Sequence, residues 1–456
     1  MTLSLPSIEQ AALQLKSRAI SPVELVRGCL ERIESRLELN AFITVMADSA
    51  VSAAETAERE IVSGRYRGPL HGVPVSIKDL IDVAGTPTTS GSAVPPRLPA
   101  DDAPIVTRLR QAGAIIIGKT NLHEFAFGTT SEESAFGPVH HPKDPSRSPG
   151  GSSGGAAVAL VEGMCFGSVG TDTGGSIRIP SAVCGTVGLK PTFGELSCEG
   201  IVPLSTTLDH VGPMARSVGD VSLMFDAMRA VSDSKGLGAV DDRAYVFAVP
   251  EPYFCDRLHP EVRTALARTR QALISAGHDV RSVAIEHAAR TADVYLHIVL
   301  PEASWYHAPM LASHADRYSP GVRLRLEMGR YVLAEDYVRA LHLRDVLARA
   351  VNAVLQRCDA LLLPAQPIPA PELGATTVEI DGTREPVRAA MLRLTQLFNM
   401  TGHPVVALPA GTTGDGWPVG IQLVGHAGAT DRLIRIARTV ERYSTGGDGS
   451  VGGGTG

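Results

Sequence analysis

The 456-residue sequence has no CxxC pair, no apolar run of 18 residues, no excess of basic charge and no leader-like start. Its six cysteines, Cys29, Cys165, Cys184, Cys198, Cys255 and Cys358, stand far apart in a long chain. That spacing argues against a disulfide framework or a zinc site and for free buried thiols in a reducing compartment. The longest apolar candidate, residues 156–170, carries Glu162, so no membrane span is expected. A net charge of −6 with interspersed signs leaves no basic face for nucleic acid. The first residues lack a basic stretch followed by an apolar core, and Glu9 interrupts early. No signal peptide is therefore expected, and the expected location is cytoplasmic. There is no internal repeat and no linker long enough to force a split. What remains is 44% hydrophobic sequence, enough for a sizeable core.

Strand-like and helix-like stretches alternate. Residues 7–62 read as helices, with Ser21 as a cap and Pro22 in the first turn. Residues 73–77 read as a short strand, 103–112 as a helix and 114–117 as a fully buried strand. A proline-rich loop at 141–145 precedes a helix at 156–162. Helices are predicted at 216–231 and 260–277, and strands at 246–249 and 280–283. Residues 323–356 read as a long helical stretch with room for one break. Apolar strands at 360–363 and 405–408 end at Pro364 and Pro409. This alternation predicts an α/β fold. The Gly/Ser/Thr-rich residues 446–456 read as a flexible tail.

Two glycine loops carry serines 24 residues apart. The first is Ser148-Pro149-Gly150-Gly151-Ser152-Ser153-Gly154-Gly155, and the second is Gly170-Thr171-Asp172-Thr173-Gly174-Gly175-Ser176-Ile177-Arg178. Glycine loops are often mere turns. Here, however, Thr173, Gly174, Gly175 and Ser176 offer four successive backbone N–H groups that could stabilise an oxyanion. Ser176 presents its hydroxyl at the same turn. Upstream, Lys78 closes the apolar stretch Gly72-Val73-Pro74-Val75-Ser76-Ile77. A lysine ending a strand is ordinarily solvated. An apolar setting would instead depress its pKa and let it act as a neutral base. Two serines and a lysine can run acyl transfer without a histidine.

Two motif matches point elsewhere. Gly113-Ala114-Ile115-Ile116-Ile117-Gly118-Lys119-Thr120 fits the phosphate-loop pattern and would make a nucleotide-binding protein. Three consecutive isoleucines, with a helix before them, read instead as a buried strand. Gly150-Gly151-Ser152-Ser153-Gly154 fits the GxSxG elbow, but polar, proline-rich sequence precedes it where a strand is required. Its base would have to be His210 or His403, which are expected in loops with structural hydrogen bonds.

Taken together, residues 71–213 resemble the amidase signature family, the Ser–cis-Ser–Lys hydrolases. The resemblance rests on the lysine strand at 72–79, Gly118-Lys119-Thr120-Asn121, both serine loops, Cys184-Gly185-Thr186-Val187-Gly188-Leu189-Lys190-Pro191-Thr192 and Leu208-Asp209-His210-Val211-Gly212-Pro213. Residues 399–408 and 416–423 extend it, so it covers about two thirds of the chain. It implies a large mixed, mostly parallel β-sheet covered by helices on both faces. It also implies a single domain over 1–445, with a core at about 71–213 and a variable substrate-facing region at about 230–390. Carried over residue by residue, Lys78 is the base and Ser152 the bridging serine behind a cis Gly151–Ser152 peptide. Ser176 is the nucleophile. Thr173, Gly174, Gly175 and Ser176 form the oxyanion hole, and Asp172 and Arg178 a supporting ion pair. Phe127, Gly128 and Thr129 are the expected substrate-binding residues. No metal or cofactor is implied.

The expected function is cleavage of C–N bonds in small amides through a serine acyl-enzyme. Esters, anilides and carbamates (urethanes) lie within reach of the same chemistry. Trp305, Tyr306, Tyr318, Met328 and Tyr331 are candidates for an apolar pocket or equally for core. The expected state is a monomer or homodimer without nucleic-acid or membrane partners. Two rivals stand beside this: a glutaminase-type component of a tRNA-dependent amidotransferase, and a nucleotide-binding protein using residues 113–120.

Overall fold

Several strands of this protein are short β-branched or apolar runs, such as Pro74–Lys78, Ile115–Thr120 and Ala360–Pro364. A computed structural model describes residues 6–229 and 243–444; the tail expected at 446–456 lies outside them. In chain order the strands are β1 (Phe42–Val45), β2 (Pro74–Lys78), β3 (Ile115–Thr120), β4 (Gly167–Asp172), β5 (Val187–Lys190), β6 (His210–Ala215), β7 (Val246–Pro250), β8 (Asp279–Val283), β9 (Ala360–Pro364), β10 (Thr377–Ile380), β11 (Thr383–Pro386), β12 (Val405–Thr412) and β13 (Pro418–Val424). Eleven of them form one sheet in the order β1-β3-β2-β4-β6-β5-β12-β13-β9-β7-β8, while β10 and β11 pair separately. Every residue of β2, β3, β4, β5, β6 and β9 is buried, which requires cover on both faces of the sheet.

The α/β sheet is mixed, as expected, but it is not mostly parallel. Only β3–β2, β2–β4, β9–β7 and β7–β8 run parallel. The other six neighbouring pairs are antiparallel. Chain connection explains the balance. Helix Pro104–Gln111 carries the chain from β2 to β3, and helix Pro260–Ser275 from β7 to β8. By contrast β12 and β13 are joined by residues 413–417 alone, too few for a parallel crossover.

Local signals held where they were chemical. Ser21 and Glu24 form a reciprocal cap on helix Pro22–Ser35, each side chain bonded to the other's backbone N–H at 3.1 and 2.7 Å. The stretch at 323–356 breaks once, into Pro320–Gly329 and Ala334–Leu355. The all-helical reading of 7–62 fails at β1, where Phe-Ile-Thr-Val pairs antiparallel with β3. Strands β4 and β6 escaped detection because glycines and a proline dilute their apolar pattern. Gly212 is glycine because an added Cβ would lie 2.0 Å from the Leu189 carbonyl oxygen of the neighbouring strand.

One helix seats the first serine loop. Gly154–Val161 is almost wholly small and apolar, and all but its last residue are buried. A Cβ on Gly155 would lie 2.4 Å from the Asn121 carbonyl oxygen and 2.5 Å from that of Ala41. Glycine therefore lets this helix press directly on the ends of the strands. Gly28, inside helix Pro22–Ser35, has nothing within 4 Å of an added Cβ. Gly155→Ala is expected to destabilise by about 1–3 kcal/mol through overpacking. Gly28→Ala should stabilise by about 0.5–1 kcal/mol by removing a flexible helical position. Urea unfolding of both variants checks the contrast in sign.

Candidate active site

Strand β2 ends at Lys78, whose side chain is fully buried. Its Nζ donates to Ser152 Oγ and to Thr171 Oγ1, each at 2.8 Å. No carboxylate lies within ion-pair distance of it among the described residues. Burial brings its pKa down to about 7; the more distant charges of Asp172 and Asp209 oppose that fall without cancelling it. The amine is thus partly neutral near pH 7.

Ser152 sits where the first loop enters helix Gly154–Val161, and the Gly151–Ser152 peptide is cis. The Ser152 carbonyl accepts from His123 N–H at 3.2 Å and Ser131 Oγ–H at 3.3 Å. Ser131 Oγ in turn accepts from Gly154 N–H at 3.1 Å. The two serine loops meet through a bond from Ser153 N–H to the Ser176 carbonyl, 3.2 Å long. The Ser152 and Ser176 hydroxyls are not hydrogen-bonded to each other in this arrangement.

The second loop is the turn between β4 and helix Arg178–Cys184. The backbone N–H groups of Thr173, Gly174, Gly175 and Ser176 donate to no acceptor among the described residues. Gly175 holds φ +138°, a conformation that glycine alone adopts readily, and its Cβ would collide with Thr395 Oγ1. Thr395 Oγ1 donates to the Gly174 carbonyl, which fixes the peptide that follows Gly174. A Cβ on Gly174 would lie 2.5 Å from Tyr295 Oη and 3.1 Å from Leu392 Cδ2, so these two side chains wall the turn.

An ion pair without solvent contact holds the turn from beneath. Arg178 Nε and Nη2 reach Asp172 Oδ2 and Oδ1 at 3.0 and 2.9 Å, and both side chains are fully buried. Asp172 also accepts from the backbone N–H groups of Ile177 and Arg178. Asn399 bridges both partners, donating to Asp172 Oδ1 at 2.8 Å and accepting from Arg178 Nη2 at 2.6 Å. Arg178 Nη1 is satisfied by the Thr395 carbonyl and Gln422 Oε1. Burial alone would raise the Asp172 pKa, but the guanidinium and the amide outweigh it and hold the carboxyl well below its usual range. Thr173 Oγ1 donates to Asp209 Oδ1 at 2.6 Å. Burial pushes Asp209 up to about 6.

Phe127, Gly128 and Thr129 lie in a buried loop against the first serine loop. A Cβ on Gly151 would be 2.9 Å from the Thr129 carbonyl carbon. Of the pocket candidates, Trp305, Met328 and Tyr331 are exposed. Tyr318 is buried, stacked on Phe125 with centroids 5.2 Å apart and bonded to His307.

The two discounted motifs settle into the fold as structure. Residues 113–120 supply β3 after helix Pro104–Gln111, and Lys119 pairs with Asp79 at 2.8 Å, both fully buried. No strand precedes Gly150-Gly151-Ser152. His210 lies at the start of β6, not in a loop, with Nδ1 on the Leu208 carbonyl; His403 lies in a loop against Thr401 and Asn352.

A family model described as "Amidase" matches residues 24–434. An amidase from Pseudomonas putida is 40% identical over 426 residues, 90% of each chain. The chain belongs to the amidase family. A glutamyl-tRNA(Gln) amidotransferase component from Anaeromyxobacter dehalogenans is 35% identical, with 95% of each chain covered. A solved structure titled as an amidase superposes with a TM-score of 0.90 at 38% identity, over 96% of this chain and 99% of that one. Membership in this amidase family makes the protein a hydrolase of C–N bonds. Among the described residues no helix is long and apolar enough to cross a membrane.

Within this amidase the sequence reading gave no role to Thr171, Asp209, Thr395, Asn399 or Gln422. Gln422 had a signal: a lone polar residue in the apolar strand Ile421-Gln422-Leu423. Its amide donates to the Pro364 and Leu394 carbonyls and its oxygen accepts from Arg178. Asp172→Asn would leave Arg178 buried without its counter-ion. Breaking such a pair costs about 3–5 kcal/mol. Denaturant unfolding should read that loss, and a loss under about 1 kcal/mol would mean that Asn399 and Gln422 suffice to hold the turn.

Proposed function

We propose that the protein hydrolyses small amides through an acyl-enzyme formed on Ser176, with Ser152 relaying protons to and from Lys78. The observation that carries this reading is the buried Lys78 amine, 2.8 Å from Ser152 Oγ with no carboxylate beside it. Neutral Lys78 takes the Ser152 proton as Ser152 takes the Ser176 proton. Ser176 Oγ then bonds to the acyl carbon. The free N–H groups of Thr173, Gly174, Gly175 and Ser176 receive the oxyanion, an arrangement worth roughly 3–4 kcal/mol per donor. Ser152 returns a proton to the leaving nitrogen, and the amine departs. Water repeats the sequence and frees the acid. The Ser176-to-Ser152 hydrogen bond, absent in this arrangement, is one that this reading requires to form when substrate binds.

Phe127, Gly128 and Thr129 are placed in this reading on the substrate's side of the first loop. Anilides, esters and carbamates (urethanes) fit the same acyl chemistry. The amidase from Pseudomonas putida has a higher identity than the amidotransferase components, 40% against 32–35%, which favours a hydrolase working alone as monomer or homodimer.

Lys78 works only as the free amine. Activity should rise as pH climbs through about 7, the value to which burial lowers Lys78, and fall in acid as the amine takes up a proton. Lys78→Ala should lower kcat by about 10²–10⁴ while still folding. Rate profiles from pH 5 to 10 on wild type and variant check both. A maximum near pH 5, or a loss under tenfold, would contradict the assignment.

A further inference from the structure

Arg388 is a guanidinium without a counter-ion beside the site. It makes no hydrogen bond or ion pair among the described residues, and its Nε is buried with no partner. It lies on helix Val387–Leu392 four residues before Leu392, on the same face. Leu392 walls Gly174 of the turn that carries Ser176, so that face is turned toward the reacting groups. The Arg388 Cζ lies 5.6 Å from the Phe127 ring centroid, and the Arg325 Cζ lies 5.3 Å from the same ring.

The nearby carboxylates are engaged elsewhere. Glu133 is the carboxylate paired here, and it is shared by Arg325 Nη2 at 3.1 Å and His123 Nε2 at 3.0 Å. Buried Glu124, which also faces Arg325, accepts from Ser92 Oγ and Ser319 N–H, so neither carboxylate is paired with Arg388. The nearby Tyr295 phenol is buried and makes no hydrogen bond among the described residues. Burial first, and then the Arg325 charge, bring Arg388 down to about 10, so it stays a cation at neutral pH. A cation kept partly out of water without a partner is costly, and a ligand anion would relieve it.

We propose that Arg388 binds a carboxylate of the substrate, so that the preferred substrates are short amides bearing a carboxylate near the scissile carbonyl. This rests on the acyl-enzyme reading above. A guanidinium fork on the carboxylate fixes the substrate's orientation, and the Phe127 ring and Tyr295 fill the space beside it. The reaction is then selective by charge: a neutral amide of equal length leaves Arg388 unpaired.

Two readouts test this on the full-length chain, with succinamate as the anionic probe and butanamide as its neutral counterpart. The first is kcat/KM for both amides in wild type, Arg388→Gln and Arg388→Lys. Wild type should favour succinamate by tenfold or more. Arg388→Gln should lower the succinamate-to-butanamide ratio by about tenfold to a hundredfold, the range for a lost charge-assisted bond. Arg388→Lys should retain part of the preference. The second is calorimetric binding of succinamate to Ser176→Ala, with and without Arg388→Gln, which reads the anion site without turnover. Affinity should fall at least tenfold with Arg388→Gln. Equal losses on both amides, an unchanged affinity, or no binding to Ser176→Ala would overturn the proposal. Hydrolysis of butanamide but not succinamate would overturn it while leaving the acyl-enzyme reading intact. Binding that depends on Arg388, with neither amide hydrolysed, would uphold the anion site and count against that reading.

Discussion

Everything at the site depends on one electrostatic fact: the amine of Lys78 is buried against two hydroxyls and no acid. Lys119, one strand away, is equally buried but pairs with Asp79 at 2.8 Å. Lys190 on β5 is buried too, and its Nζ donates to the Pro191 carbonyl. Burial, with the Arg178 charge adding to it, drives Lys190 well below the ordinary lysine value. Burial therefore does not distinguish Lys78 among these lysines. What distinguishes it is that its hydrogen-bond partner is the serine of a loop tied to Ser176.

The turn that carries Ser176 is held by buried polar groups. Asp172 and Arg178 lie six residues apart and cap the turn from below, while Thr395 and Asn399 on one segment and Gln422 on another come to the same point. A buried pair gains little for stability on its own account. Here it fixes the backbone direction over Thr173, Gly174, Gly175 and Ser176, whose N–H groups stay unspent. Thr395 completes that work by engaging the Gly174 carbonyl. The turn is preorganised by desolvated polar contacts, with Tyr295 and Leu392 packed beside it.

The sequence was legible where chemistry is local. The Ser21 cap, the buried isoleucine strand and the apolar strand closing at Lys78 each carry their cause within a few residues. Both serine loops could be located for the same reason, since their glycines mark them as turns within a few residues. Illegible were the strands that owe their existence to neighbours. β4 is rich in glycine and polar residues, β6 is interrupted by Gly212 and Pro213, and they are strands because β2 and β5 supply their partners. Strand direction was equally hidden, since it follows from crossovers that no local pattern encodes. Arg388 was silent as well: one arginine among many means nothing until the fold puts Leu392 against Gly174.

The central claim is that Ser176, and not Ser152, takes the acyl group. The most direct measurement treats the purified protein with a fluorophosphonate and maps the modified peptide by mass spectrometry. The account predicts a single adduct on Ser176, absent from Ser176→Ala. An adduct on Ser152 with Ser176→Ala still labelled would contradict it.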